Sequence, residues 1–238
     1  GHIFPALSIA NEIKNDEPGS EFLFVGSIGK MEMKKIPDSG FDIIGIPVEG
    51  FQRSFSFKNI LFPFKLLISI IKSIFIVIRF KPDIVIGTGG FASGPVVFAS
   101  QIMGYPTLIQ EQNSYPGVTN KILGKRAKFI SVAYSKMDRF FLKEKIVYTG
   151  NPVRKDIIDN NIKSTDAKAF FNLNPNKPVI GVIGGSLGAL YLNKIISDNL
   201  EVFNDLEVQV IWQCGKLYYE KYKFLQTDSI KVLPFINR

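Results

Sequence analysis

Asp83-Ile84-Val85-Ile86-Gly87-Thr88-Gly89-Gly90-Phe91-Ala92-Ser93-Gly94-Pro95 carries an apolar run into a glycine loop and out into a helical pattern. Ile84, Val85 and Ile86 form a short β-branched run, which predicts a buried strand. Four glycines fall between 87 and 94. They let the chain turn tightly and let a ligand approach the backbone. The same order of strand, loop and helix recurs on both sides of this stretch. Strand-like runs stand at 21–26 (EFLFVG), 41–46, 83–87, 107–110, 129–132 and 146–149. Helical patterns lie at about 59–79, 93–103 and 116–125. After a polar stretch at 154–177, the order starts again. It runs as a strand at 178–183, a glycine-rich turn at 184–188, a helix from about 189 to 200, and strands at 208–213 and 230–233. This alternation predicts an α/β fold of parallel sheets with helices on both faces. We divide the chain into domains 1–152 and 153–238, the second incomplete.

The chain has 238 residues, 46% of them hydrophobic and 21% charged, which suits a packed core and rules out wholesale disorder. Its one cysteine, Cys214, and one histidine, His2, exclude an internal disulfide and any Cys- or His-cluster metal site. The net charge of +8 asks for an anionic partner: a phosphorylated metabolite, an acidic lipid surface or nucleic acid. Nucleic acid is the poorest fit, since no RNA-binding signature, zinc finger or basic helix with interleaved stacking aromatics is present. No initiator Met or signal peptide opens the chain. A helix patterned on Ala6, Leu7, Ile9, Ala10 and Ile13 starts at once, where α/β folds place a strand first. We read the chain as truncated at both ends.

Five segments can carry chemistry. Gly184-Gly185-Ser186-Leu187-Gly188-Ala189 follows an apolar strand and opens a helix, whose free N–H groups suit a phosphate. Gly185, Gly188 and the Ser186 hydroxyl are the candidates, against an ordinary strand-to-helix turn. Thr88, Gly89, Gly90 and Ser93 form a second loop, for an anion or a passing substrate. Gln110-Glu111-Gln112-Asn113 ends a strand at the edge where open α/β sheets bind ligands. Its amides suit a hydroxyl-rich substrate, and Glu111 can serve as general base or as an orienting group. His2 lies at a helix start at the same edge, where the neutral, base-competent form is favoured. Finally, 50–82 holds Arg53, Lys58, Lys65, Lys72, Arg79 and Lys81 and no acid. Lys58, Lys65, Lys72 and Arg79 are spaced by seven, which on a helix makes one stripe. Pro63 is expected to break or begin that helix. The wide apolar arc between the cations fits a helix lying on an anionic membrane, against a buried helix with a solvated lysine stripe. A bilayer-spanning helix is disfavoured by the charges.

Read together and in order, six motifs resemble one family. They are Gly1-His2-Ile3-Phe4-Pro5-Ala6-Leu7, the loop 87–95, Glu111-Gln112-Asn113, Gly117-Val118-Thr119-Asn120-Lys121, Gly150-Asn151-Pro152-Val153-Arg154 and the loop 184–189. The set is similar to the N-acetylglucosaminyltransferases of glycosyltransferase family 28 that convert lipid I to lipid II in bacterial peptidoglycan synthesis. The resemblance implies a GT-B architecture of two Rossmann-like domains. It implies inverting transfer of N-acetylglucosamine from UDP-N-acetylglucosamine to the 4-hydroxyl of the muramyl sugar, with no cofactor and no required metal. By resemblance His2 is the base, with Glu111 second. Gly1 belongs to the donor loop, and Asn120, Arg154, Ser186 and Ile236 are donor-nucleotide contacts. The resemblance places the protein peripherally on the cytoplasmic face of the inner membrane. Implied partners are lipid I, the anionic membrane surface and other cell-wall synthesis proteins. The family's remaining donor contacts fall after residue 238, so 1–238 alone is expected to be inactive. The competing readings are another GT-B enzyme, such as a soluble glycosyltransferase or a nucleotide-sugar epimerase, and a non-catalytic lipid-binding module.

Overall fold

The structure is a computed structural model. It describes residues 2–50, 58–158, 162–185 and 187–236, those at 58–60 and 156 by their backbone. The chain divides into two compact units, Gly1–Asp159 and Asn160–Arg238.

The first unit alternates helices and strands. In order they are α1 (Ile3–Asp16), β1 (Leu23–Ser27), α2 (Glu32–Lys35), β2 (Asp42–Ile46), α3 (Lys58–Phe80), β3 (Val85–Gly87), α4 (Ser93–Ile102), β4 (Thr107–Glu111), α5 (Val118–Gly124), β5 (Phe129–Val132), β6 (Ile146–Tyr148) and α6 (Lys155–Ile158). All strand pairs are parallel. The strands form two sheets, β1-β2 and β3-β4-β5-β6. Helix α4 packs on β1, β3 and β4 and so covers both sheets. Its core is Val97, Ile109, Leu123, Ala127, Ile130, Val132, Met137 and Phe141. Ile109 and Ile130 are wholly buried, each contributing roughly 1.5–3 kcal/mol. Because β3, β4 and β5 run parallel, Gly87, Glu111 and Val132 end at one edge.

Pro63 neither breaks nor begins α3 but lies inside it, at the sixth position. The missing N–H loses a single bond, to the carbonyl of residue 59, close to the helix start. The segment Leu61–Phe80 has a mean hydropathy of 2.2 and is long and apolar enough to cross a membrane. One side of it packs along α4. Ser69, Ser73 and Val77 are buried on this inner side, and the two serines are small enough for close approach.

The second unit contains α7 (Ser164–Phe170), β7 (Val179–Ile183), α8 (Leu190–Asp198), α9 (Leu200–Asp205), β8 (Gln209–Gln213), α10 (Tyr219–Tyr222) and β9 (Ile230–Leu233). The parallel sheet has the order β7-β8-β9. The helix expected at 189–200 ends at Asp198, and α9 follows it. Val182, Ile196, Val210, Trp212, Cys214, Tyr222, Ile230 and Val232 make the core. Its buried polar groups are paired: Trp212 Nε1 donates to Asn193 Oδ1 at 3.0 Å, and Asn193 Nδ2 donates to the Cys214 carbonyl at 2.8 Å.

Candidate active site

At the carboxyl edge of the first unit, three distant segments meet around His2. The ring Nδ1 lies 2.8 Å from the Thr88 carbonyl oxygen and 3.0 Å from Gln112 Oε1. Both partners can only accept, so Nδ1 carries the proton. His2 is exposed, and in the neutral ring Nε2 then keeps its lone pair, which is the tautomer a base requires. Thr88 Oγ1 donates back to the His2 carbonyl at 3.1 Å. Gln112 is itself oriented, since Nε2 donates to the Thr88 carbonyl at 2.7 Å and to Gln110 Oε1. The loop beneath the ring needs glycine. Gly89 has φ +95°, and a Cβ there would stand 2.8 Å from two ring atoms.

Glu111 is 1% exposed, and both its oxygens are occupied. Oε1 accepts the Asn113 backbone N–H at 3.0 Å and its Nδ2 at 3.1 Å. Oε2 accepts the Gly117 N–H at 3.2 Å and Asn120 Nδ2 at 2.8 Å. Of the two roles open to Glu111, this geometry gives it the orienting one. It staples the 111–117 loop to the start of α5. Replacing Glu111 with Ala should cost about 3 kcal/mol, by stranding the buried Asn120 amide and loosening two part-buried backbone donors, and lower Tm by roughly 6–12 °C. Thermal unfolding checks this. Abolished turnover at an unchanged Tm would return Glu111 to the role of base.

Asn120, expected at the nucleotide, is 2% exposed. Its Nδ2 is spent on Glu111 and on the Gln110 carbonyl, so it stands behind the carboxylate. Ser93 opens α4, and its Oγ has no hydrogen-bond partner among the described residues. Arg154 comes to α1, its guanidinium carbon 5.8 Å from the Phe4 ring centroid, two residues from His2. Gln110 and Asn151, quoted in the sequence motifs but given no role of their own there, are also members. Asn151 Nδ2 donates to the Gln112 carbonyl at 3.3 Å. Gln110 is fully buried under Gln112, and a polar residue closing an apolar strand was the available signal. Lys121 Nζ sits 3.8 Å over the Tyr115 ring. Its hydrogen bond and its charge hold the Tyr115 hydroxyl below the usual phenol range.

In the second unit Gly185 and Gly188 have φ of +80° and +88°. No atom would lie within 4 Å of a Cβ on Gly185. The Ile236 N–H donates to Gln213 Oε1 at 2.7 Å. Gly1, Ser186 and the Lys58 side chain lie outside the described residues. Among the described residues no group of three His, Cys, Asp or Glu side chains gathers that could hold a metal ion.

The cation stripe of α3 is not free as expected. Lys65 Nζ pairs with Glu49 Oε1 at 2.8 Å. Lys72 Nζ donates to the Gly45 carbonyl at 2.8 Å. Both reach back to the β2 end of the sheet, while Arg79 is exposed. The outward face is apolar. Leu61, Phe64, Ile68, Ile71, Phe75 and Ile78 are exposed, Phe64 by 64% and Phe75 by 67%. Lys65, Lys72 and Arg79 each follow an exposed apolar residue by a single position, about 100° round the helix.

The glycosyltransferase family 28 N-terminal domain matches residues 1–132, and the family's C-terminal domain matches 179–238. A UDP-N-acetylglucosamine--N-acetylmuramyl-(pentapeptide) pyrophosphoryl-undecaprenol N-acetylglucosamine transferase of Flavobacterium psychrophilum is 51% identical over 239 residues, covering 100% of this chain and 65% of that protein. The protein of the same name from Cytophaga hutchinsonii is 52% identical over 236 residues, covering 99% and 64%. The chain thus spans about 65% of the length of the relatives it matches. Among solved structures, Acinetobacter baumannii MurG is similar with a TM-score of 0.67 at 28% identity, covering 100% of this chain and 64% of that one. UDP-GlcNAc 2-epimerase of Neisseria meningitidis, bound to UDP-GlcNAc, shares the fold with a TM-score of 0.65 at 13% identity, covering 100% of this chain and 70% of that one.

Proposed function

The chain belongs to glycosyltransferase family 28, and we propose that the whole protein transfers N-acetylglucosamine from UDP-N-acetylglucosamine to lipid I. The acceptor is the 4-hydroxyl of the muramyl sugar, and the product is lipid II. The names of the relatives at about half identity support the donor and acceptor. The observation that carries the chemistry is the fixed tautomer of His2, whose Nδ1–H is held by the Thr88 carbonyl and Gln112 Oε1.

In this reading Nε2 takes the hydroxyl proton as the oxygen attacks C1. The bond from C1 to the diphosphate oxygen breaks with inversion, and UDP leaves. The imidazolium that forms keeps its Nδ1–H on two acceptors, which spreads the new positive charge. Charge on the leaving diphosphate falls to backbone N–H groups of the loop before α8. No metal ion is part of the proposal. The protein would work at the cytoplasmic face of the inner membrane, held there through the outward face of α3, because its acceptor is lipid-linked.

The test uses the whole protein, UDP-N-acetylglucosamine and a lipid I analogue in chelator, read by mass spectrometry. The expected result is a gain of one N-acetylhexosamine on the acceptor. No gain while UDP still binds would move the assignment to another acceptor or to epimerase chemistry.

A further inference from the structure

We propose that Gln213 is a positioning residue for the donor. Its carboxamide ties the glycine-rich loop after β7 to the loop after β9 and so sets the spacing of the backbone groups that meet the nucleotide sugar. The inference rests on the donor role given above to the 184–189 loop.

Gln213 ends β8, the middle strand, in register with Ile183 of β7 on one side and Leu233 of β9 on the other. A side chain there can reach both flanking loops, and this one does. It is 4% exposed. Its Nε2 donates to the Gly185 carbonyl at 2.9 Å, and its Oε1 accepts the Ile236 N–H at 2.7 Å. Its own backbone carbonyl accepts the Gly184 N–H at 3.3 Å. The two ends of the amide are therefore not interchangeable. One loop offers a carbonyl and the other an N–H, and a neutral amide supplies the matching donor and acceptor. Glutamate would keep only the acceptor, methionine neither, and asparagine is one carbon short.

The seat under the loop is rigid. Gly188 and Gly215 both have φ of +88°, and a Cβ on Gly215 would fall 2.1 Å from the Gly188 nitrogen. Asn193 holds the same turn through the Cys214 carbonyl. Above that floor Gln213 holds the Gly185 carbonyl. The same side chain holds Ile236, so displacing it moves both loops together.

Gln213→Met and Gln213→Glu in the whole protein test this, by steady-state kinetics with UDP-N-acetylglucosamine and a lipid I analogue, alongside thermal unfolding. Methionine should raise the donor KM about tenfold and leave the acceptor KM near wild type, with Tm lowered by only about 2–4 °C because water can reach the freed groups of exposed Gly185 and half-buried Ile236. Glutamate keeps the Ile236 bond but sets a carboxylate against the Gly185 carbonyl and beside the diphosphate. It should raise the donor KM by about a hundredfold. A folded Gln213→Met protein with wild-type donor KM overturns the proposal, and so does a joint rise of both KM values with a falling Tm. Should the methionine variant not fold, an unchanged donor KM in Gln213→Glu overturns it instead. Wild-type protein that fails to bind UDP-N-acetylglucosamine in calorimetry would defeat the donor reading of the loop, and this inference with it. Wild-type binding beside an unaffected variant defeats the positioning role alone.

Discussion

Replacing His2 with Ala in the whole protein should lower kcat by about 10²–10⁴-fold, the range expected for loss of a positioned general base. The donor KM should change by no more than about twofold, because in the proposed mechanism the ring acts on the acceptor hydroxyl and not on the nucleotide. The argument is local. Nδ1 faces two acceptors, so the neutral ring has one available tautomer, with Nε2 outward. His2 is exposed, so truncation removes little buried area and the fold should survive. Gln112→Ala is the graded companion. It deletes one of the two acceptors at Nδ1, while the Thr88 carbonyl, a backbone group, still fixes the tautomer. Its loss of kcat should be about tenfold. Steady-state kinetics separates these outcomes. A His2→Ala protein turning over at the wild-type rate would remove His2 as the base.

The strands were legible because their runs are short and β-branched, several of them with a glycine or proline close to one end. The runs at 129–132 and 230–233 match β5 and β9 residue for residue. The glycine loops were legible for the same local reason. What could not be read depends on contacts between distant residues. His2 meets Thr88 across 86 positions and Gln112 across 110, and no local pattern encodes that meeting. Nor does spacing say that Glu111 is saturated by its own loop, since the carboxylate's partners come from the turn that follows it. The division of the first unit's strands between two sheets is likewise set by pairing and not by composition. Gln213 shows the limit most clearly. A polar residue closing an apolar strand marks it as unusual, but its two partners appear only when three strand ends are set side by side.

The heptad spacing sets Lys65, Lys72 and Arg79 along one side of α3, and the face we propose for the membrane is the apolar one beside it. Lys65 and Lys72 turn back to Glu49 and the Gly45 carbonyl, which leaves Leu61, Phe64, Ile68, Ile71, Phe75 and Ile78 outward. Under the proposed function that row enters the lipid interface, so Phe64→Asp with Phe75→Asp should release the whole protein from vesicles. Each ring is worth roughly 1.5–3 kcal/mol when buried. Together they predict a loss of partition of about 10²–10⁴-fold. Both rings are largely solvent-exposed in the fold, so Tm should hold. Changing Lys65 and Lys72 to Glu should do the reverse, lowering Tm through lost contacts to the sheet and weakening binding less. Salt gives a second reading. Attachment carried by apolar side chains persists at high ionic strength, whereas attachment carried by the cations is screened away. Sedimentation with phosphatidylglycerol vesicles in low and high salt decides. If the double phenylalanine variant sediments like wild type, the outward face of α3 is not what holds the protein to the membrane.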